Sequence, residues 1–495
     1  MNLFKNISAG LLRFVISSAV GFIVLGLLAR HLSTESLGLV ILATNLNHYF
    51  ALTVMVFTST AARFSAISYF SKKYQLASEE ISSAIFCIVS IGTLSIAGLI
   101  LVFILFQNSF IELVISNKQL FYLSVCAFFF SSLSSVINAG AFIAQKIFWA
   151  DIAEIIGKIS LLAFVFTMIN FTEITPNLYG LSIFLSTAVT LTISYFFLSR
   201  LKLNLNLSIS RIKITSVKRL FHSGKYALIN TTGVMLYTVT DIAIITYYSG
   251  VTKTALYGAT VQYVLILPLI GVLLTKIIEP KIALMVSQSD DKALSKFLQN
   301  AIETISSLNS IFLILLVLVS GFIFPIWLGD TSYFDPKLII ILLINQFLHL
   351  STAPIFTYLL MTDRLKHPAF ITILVGLFNI LFSIFLIKYT LLDYYGPALA
   401  SFVAISIKTV WYNVYYAKKV LPIDAIAIWL VVFRGASICA ICGGAYLLIT
   451  SIFQVSASIQ LTTYISVFII AIFSNIAAVS PSKRRRLFDF VKSER

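Results

Sequence analysis

The chain has 495 residues, of which 59% are hydrophobic and only 11% charged, with a formal net charge of +16. Soluble domains are typically about 45–50% apolar and about 25% charged, and a soluble chain this greasy would expose large apolar patches. The composition excludes an ordinary soluble enzyme and points to a polytopic membrane protein. It also removes nucleic acid as the reason for the positive charge, because the bases fall in the loops that set membrane topology.

Fourteen apolar stretches are long enough to span, given roughly 20 residues per helical crossing. In chain order they are 9–29, 37–61, 82–106, 120–144, 148–170, 178–200, 222–248, 255–275, 303–328, 337–361, 368–388, 395–416, 426–450 and 459–480. A helix satisfies its own backbone hydrogen bonds in lipid, whereas barrel strands would be about ten residues long with strict alternation. The first stretch follows Lys5 and reads as an uncleaved signal-anchor. An even count puts both termini on one side. With that side cytoplasmic, the outer loops hold only Arg30, Lys118, Lys253, Lys337 and Lys388, while Arg13, Lys158, Lys408 and Arg434 lie within spans. The rest of the 35 Lys and Arg residues collect inside, as the positive-inside rule expects. The outer loops are too short for a catalytic domain, which argues against a membrane glycosyltransferase or polymerase.

The basic stretch 201–221, "LKLNLNLSISRIKITSVKRLF", divides the first twelve spans into two sixes. "TESLGLV" (34–40) matches "KTALYGA" (253–259), "IIGKISLLAF" (155–164) matches "LVGLFNILFS" (374–383), and "NLYGLSI" (177–183) matches "DYYGPAL" (393–399). The paired glycines Gly38/Gly258, Gly157/Gly376 and Gly180/Gly396 are offset by 220, 219 and 216 positions. Three matches in one order argue for duplication, and an even span number makes the repeat parallel. The expected organisation is a six-helix bundle over 1–200, a linker over 201–221 and a second bundle over 222–420. Two additional spans over 421–480 and a basic tail over 481–495 complete it.

Few residues offer chemistry. Asp241, in "YTVTDIAIITYY" (237–248), costs about 2.5–3.5 kcal/mol in lipid and needs a partner or a task. At helical spacing Asn230, Tyr237 and Asp241 fall near one face, which would suit a wet cavity. There Asp241 either ties two helices together or couples transport to H⁺ or Na⁺. The bases Arg13, Lys158, Lys408 and Arg434 outnumber it at depth, with Asp151 and Glu154 nearer the boundary, so such a cavity would favour an anion, phosphate above all. "SDDKA" (289–293) and "SEEIS" (78–82) read as helix starts capped by Ser and acids. The five His residues have no ligand spacing, no phosphate-binding loop is present, and Cys439-x-x-Cys442 reads as packing. No cofactor is expected beyond a coupling ion.

"LLARHLSTESLGLV" (27–40) and "YTVTDIAIITYYSGVTKTALYGA" (237–259) resemble the span-one-to-two and span-seven-to-eight signatures of the polysaccharide-transporter branch of the MATE-like exporter superfamily. Arg30 and Gly38 match the first, and Asp241, Tyr257 and Gly258 the second; Val40 departs from the first and Thr246 from the second. The resemblance covers about residues 5–420. It implies an all-α MATE-like fold with two parallel six-helix bundles and two extra C-terminal helices. It also implies the work of Wzx-type flippases, which move undecaprenyl-diphosphate-linked oligosaccharides (O-antigen or capsule repeat units) across the bacterial cytoplasmic membrane. On that reading Arg13, Arg30, Arg63, Lys158 and Arg434 attract the diphosphate, Asp241 couples an ion, and Asn45, Asn230 and Tyr237 line the cavity. Membrane lipids, the lipid-linked substrate, a polysaccharide polymerase and other assembly proteins are the partners. The alternative is a cation-coupled multidrug exporter of the same fold, which would want net acid in the cavity.

Overall fold

A computed structural model describes residues 2–105, 112–201, 203, 205–288, 290–362 and 364–452. Every regular element among them is a helix. Ten helices in the described residues are long and apolar enough to cross a membrane, and they coincide with ten of the expected spans. The second, eighth and twelfth expected spans are also helical, although the last two are interrupted. The fourteenth, 459–480, and the basic tail, 481–495, lie outside the described residues.

The chain forms two compact units. Among the described residues, the first runs to Ala259 and adds Trp327–Gly329 and Leu365–Pro397; the second comprises Thr260–Ile326, Asp330–Arg364 and 398–452. These limits differ from the sixfold halves expected from the repeat.

In the first unit, α1 (Asn2–His31), α2 (Thr34–Phe70) and α3 (Tyr74–Leu105) are followed by α4 (Glu112–Ser116), α5 (Lys118–Ile137) and α6 (Ala139–Ile143). Then come α7 (Phe148–Phe171), α8 (Pro176–Arg200), α9 (Ile214–Leu236), α10 (Thr240–Ser249) and α11 (Val251–Val264), within which the division falls. Local chemistry punctuates them. Ser33 Oγ accepts from the Ser36 amide at the start of α2, and Thr175 with Pro176 opens α8, both ordinary helix starts. Gly250, with φ 86°, ends α10 in a backbone conformation that favours glycine.

The second unit contains α12 (Ile266–Ser287), α13 (Asp291–Leu328), α14 (Pro336–Ser351) and α15 (Ala353–Met361). Helix α16 (Lys366–Tyr389) belongs to the first unit, where it packs on α9 and α10. Helix α17 (Tyr395–Ile405) leads into a π turn, Ser406–Tyr412, then α18 (Asn413–Val420) and α19 (Ala425–Ile452). As "SDDKA" implied, Asp290 Oδ1 accepts from the Ala293 amide at 3.0 Å where α13 begins. Asp335 does the same for Lys337 and Leu338 at the start of α14. In the loop between these helices, the amide and hydroxyl of Ser332 hold the Asp330 carboxyl below its usual range.

"SEEIS" is not a helix start. Helix α3 begins at Tyr74, a turn before Ser78, so Glu79 and Glu80 lie within it and are buried. Glu80 accepts from Ser68 at 2.8 Å and pairs with Arg219 at 2.8 Å, while Glu79 pairs with Lys213 at 2.7 Å. The basic linker is thereby tied to the end of α3.

The glycines that signalled duplication mark close approaches. A Cβ on Gly38 would strike the Val251 carbonyl at the start of α11, and one on Gly258 would strike Ile41 of α2, so both repeat-related glycines sit where α2 and α11 approach closely. Leu at either position is expected to cost more than about 3 kcal/mol, the upper end of the usual overpacking penalty. A thermal melt of the solubilised variants checks this, and a melt unchanged from wild type would contradict it.

Candidate functional site

The expected seventh span is broken. Helix α9 stops at Leu236 and α10 starts at Thr240, so the single polar face expected from 3.6-residue spacing does not run through. The intervening Tyr237-Thr238-Val239 is β-branched and aromatic, a run that fits poorly in a helix interior. In lipid the carbonyls freed by a break need new partners. The Asn379 amide of α16 supplies one, donating to Leu236 O at 3.2 Å, while Thr238 and Thr240 hydroxyls bond the Val234 and Met235 carbonyls.

Asp241 occupies the first turn of α10, where helix amides favour a negative charge. It is 3% exposed, and its Oδ2 accepts from the Tyr257 hydroxyl at 2.9 Å. Asp241 therefore has the helix-tying partner that its cost in lipid demands. It also sits beside the hydrogen-bonded turn, Tyr237–Val239, that interrupts the span.

Asn230 and Tyr237 do not line open space with it. Asn230 is buried against α16 and accepts from Thr372 at 3.0 Å; Tyr237 is buried at the break. Asn45 bonds the Ile41 carbonyl in its own helix, at 3.0 Å.

The predicted cationic residues fall in different surroundings. Arg13 on α1 meets two acids of α7, with Nε 3.1 Å from Asp151 and NH1 2.7 Å from Glu154. Lys158 follows Glu154 by one turn on the same helix and is exposed. These four charges sum to zero, which corrects the expectation of unopposed positive charge around Arg13: the two acids taken as nearer the boundary lie at its depth. A phosphate reaching Arg13 would have to displace them.

Arg30 is exposed at the end of α1, with Nε 3.3 Å from Trp327 O. Trp327 in turn stacks on Phe22 with ring centroids 3.8 Å apart and donates to Phe22 O at 2.7 Å. Arg63 is exposed, 5.9 Å over the Phe64 ring that also carries Arg219.

In the second unit Arg434 is partly buried on α19. Lys408, which the sequence counted among the deep bases, is buried in the π turn, and its ammonium donates to Asn413 at 2.7 Å. Cys439 and Cys442 are free thiols, and Cys439 packs beside the Ser310 carbonyl. Among the described residues no group of His, Cys, Asp or Glu is placed to hold a metal ion.

Sequence reasoning missed the partners. Tyr257 and Asn379 stood inside the quoted "KTALYGA" and "LVGLFNILFS" segments, but nothing local to either marks what it touches.

No protein-family model matches the chain. It is 21% identical over 429 residues to the uncharacterized membrane protein EpsK of Bacillus subtilis (strain 168), covering 84% of this chain and 83% of that protein. An inward-facing multidrug-resistance MATE family transporter of the MOP superfamily superposes with a TM-score of 0.66 at 13% identity, over 83% of this chain and 98% of that one. The lipid II flippase MurJ, in an inward closed conformation, superposes with a TM-score of 0.65 at 18% identity, over 93% of this chain and 97% of that one. These folds belong to transporters, not enzymes. The chain is a multi-pass membrane protein with the MATE-like, all-helical fold of MOP superfamily transporters.

Proposed function

We propose that this protein is a flippase for an undecaprenyl-diphosphate-linked oligosaccharide, an O-antigen, capsule or similar repeat unit. It carries this lipid from the inner to the outer leaflet of the bacterial cytoplasmic membrane by alternating access, with both termini cytoplasmic. The observation that carries this reading is the extent of the fold match. The lipid II flippase accounts for 93% of the chain. MATE transporters account for 83% and 90%.

The charge inside the spans supports the same cargo. Lys408, buried within a span, has no ion-pair partner within 4 Å among the described residues. In the first unit Arg30, Arg63 and Lys158 attract the diphosphate, and Arg13 joins them when its acids release it; in the second unit Arg434 does so. Asp241 is the coupling acid, taking H⁺ or Na⁺. A polysaccharide polymerase acts on the product.

Reconstituted protein is expected to move a labelled lipid-linked oligosaccharide across the bilayer; failure to do so counts against the reading. In cells, deletion is expected to abolish surface polysaccharide and to accumulate lipid-linked units. Drug sensitivity with intact polysaccharide would instead favour a cation-coupled multidrug exporter, the reading that the MATE superposition favours.

A further inference from the structure

The linker after α8 is held on the first unit by polar ties. The Asn206 amide donates to Ser78 Oγ at 3.0 Å and the Lys213 amide to Ser83 Oγ at 3.1 Å, beside the ion pairs of Glu79 and Glu80. These ties consume two of its bases, Lys213 and Arg219. Two others, Arg211 and Lys218, have no carboxylate partner among the described residues. Arg211 lines a pocket of 360 Å³ with polar groups from Gln75, Ser78 and Asn206 and apolar ones from Leu203 and Leu205.

The same segment exposes apolar side chains of a kind usually buried. Ile209 is 87% exposed, Ile214 67% and Phe221 50%. Ile214, Lys218 and Phe221 follow at i, i+4 and i+7 on α9, so they share one face. Isolated apolar residues at a surface need no explanation, but here they alternate with unpaired bases where a span leaves the membrane. That is the pattern of a segment lying in the lipid headgroup region.

We propose that the linker docks an anionic lipid. The Arg211 pocket takes the phosphate head, Lys218 adds charge, and Ile209, Ile214 and Phe221 enter the boundary of the acyl chains. This stands apart from the carried substrate and takes from the reading above only the leaflet, the cytoplasmic one. It gives the first unit's inner edge a role: Lys213 and Arg219 tie the segment to Glu79 and Glu80, while Arg211 has no carboxylate partner among the described residues.

The test uses the full chain in nanodiscs of equal parts phosphatidylcholine and phosphatidylglycerol, with retained lipid counted by native mass spectrometry. One base at a membrane surface is worth about 1 kcal/mol, or about fivefold. Arg211→Gln is therefore expected to lower the retained phosphatidylglycerol-to-phosphatidylcholine ratio about fivefold, and Arg211→Glu further. An unchanged ratio in both overturns the proposal.

A nitroxide on Ile209→Cys, in a chain with Cys126 and Cys442 replaced by Ser, is expected to be reached by oxygen rather than by a nickel chelate. Nickel access at the level of a water-exposed site overturns it too. Competition separates the sources of phosphate. Displacement by added phosphatidic acid supports a lipid phosphate as the ligand, whereas displacement by inorganic phosphate alone assigns the pocket to a soluble anion and refutes lipid docking.

Discussion

Asp241→Asn is expected to abolish ion-driven transport while leaving a folded protein in the membrane. The Asn side-chain oxygen still accepts the Tyr257 hydroxyl, so packing at the break is preserved, but the carboxylate needed to take up an ion is gone. Asp241→Ala is expected to do more harm. It leaves a buried hydroxyl without its acceptor, which costs about 1–3 kcal/mol, and removes a favourable charge from the first turn of α10. Tyr257→Phe keeps the carboxylate and loses only its hydrogen bond, so it is expected to weaken transport without eliminating it. Uptake into proteoliposomes under an imposed H⁺ or Na⁺ gradient, with a thermal melt beside it, reads both effects. An Asp241→Asn protein that still responds to the gradient as wild type does would remove Asp241 from the coupling step and leave it only as the tie between α10 and α11.

The second large effect is expected at Arg13. Its side chain is 38% exposed, while that of Asp151 is 7% exposed. Arg13→Ala therefore strands a buried carboxylate whose partner was only half shielded. Removing one member of a fully buried pair costs about 3–5 kcal/mol; with solvent screening on the arginine side, about 2 kcal/mol is expected here. The triple variant Arg13→Leu, Asp151→Asn, Glu154→Gln removes the charges together and is expected to recover most of that loss, because replacing a whole buried ionic group is often neutral. Transport separates the roles. If Arg13 serves only the seam between α1 and α7, the triple variant regains activity with stability. If Arg13 leaves its acids to meet the diphosphate, stability returns and flipping does not.

This seam has a counterpart. Helix α1 lies on α7, the first and fifth expected spans, and α9 lies on α16, the seventh and eleventh. The first seam is closed by Arg13 with two carboxylates; the second, at a similar height in the repeat, by the Asn230–Thr372 hydrogen bond. One copy thus carries a charged clasp and the other a neutral one. Ionic groups inside a membrane protein tend to be functional, so the charged clasp is the one on which the stability test above bears.

Much of this protein was legible in its residues. Apolar stretches of bilayer length dictate helices because lipid offers the backbone no other hydrogen-bond partner. The crowding of bases into one set of loops likewise follows from charge and membrane alone. Gly38 and Gly258 could be paired by spacing, since a close approach leaves room only for glycine whatever lies opposite. The sequence also marked Asp241 and Arg13 as costly, because a charge in an apolar run is visible locally.

What answers those charges was decided by tertiary structure. Arg13 and Glu154 stand 141 positions apart, Arg219 and Glu80 139, and Asn379 and Leu236 143. No periodicity within one helix reports which face of another will meet it. The break after Leu236 compounds this: the polar face read through Asn230, Tyr237 and Asp241 assumed one continuous helix, and a three-residue interruption turned Asn230 and Tyr237 into packing. Local composition determined where the chain enters lipid and what that costs. Long-range packing determined which partner offsets each cost, because only contact between distant helices brings the opposite charge or the missing donor within bonding distance.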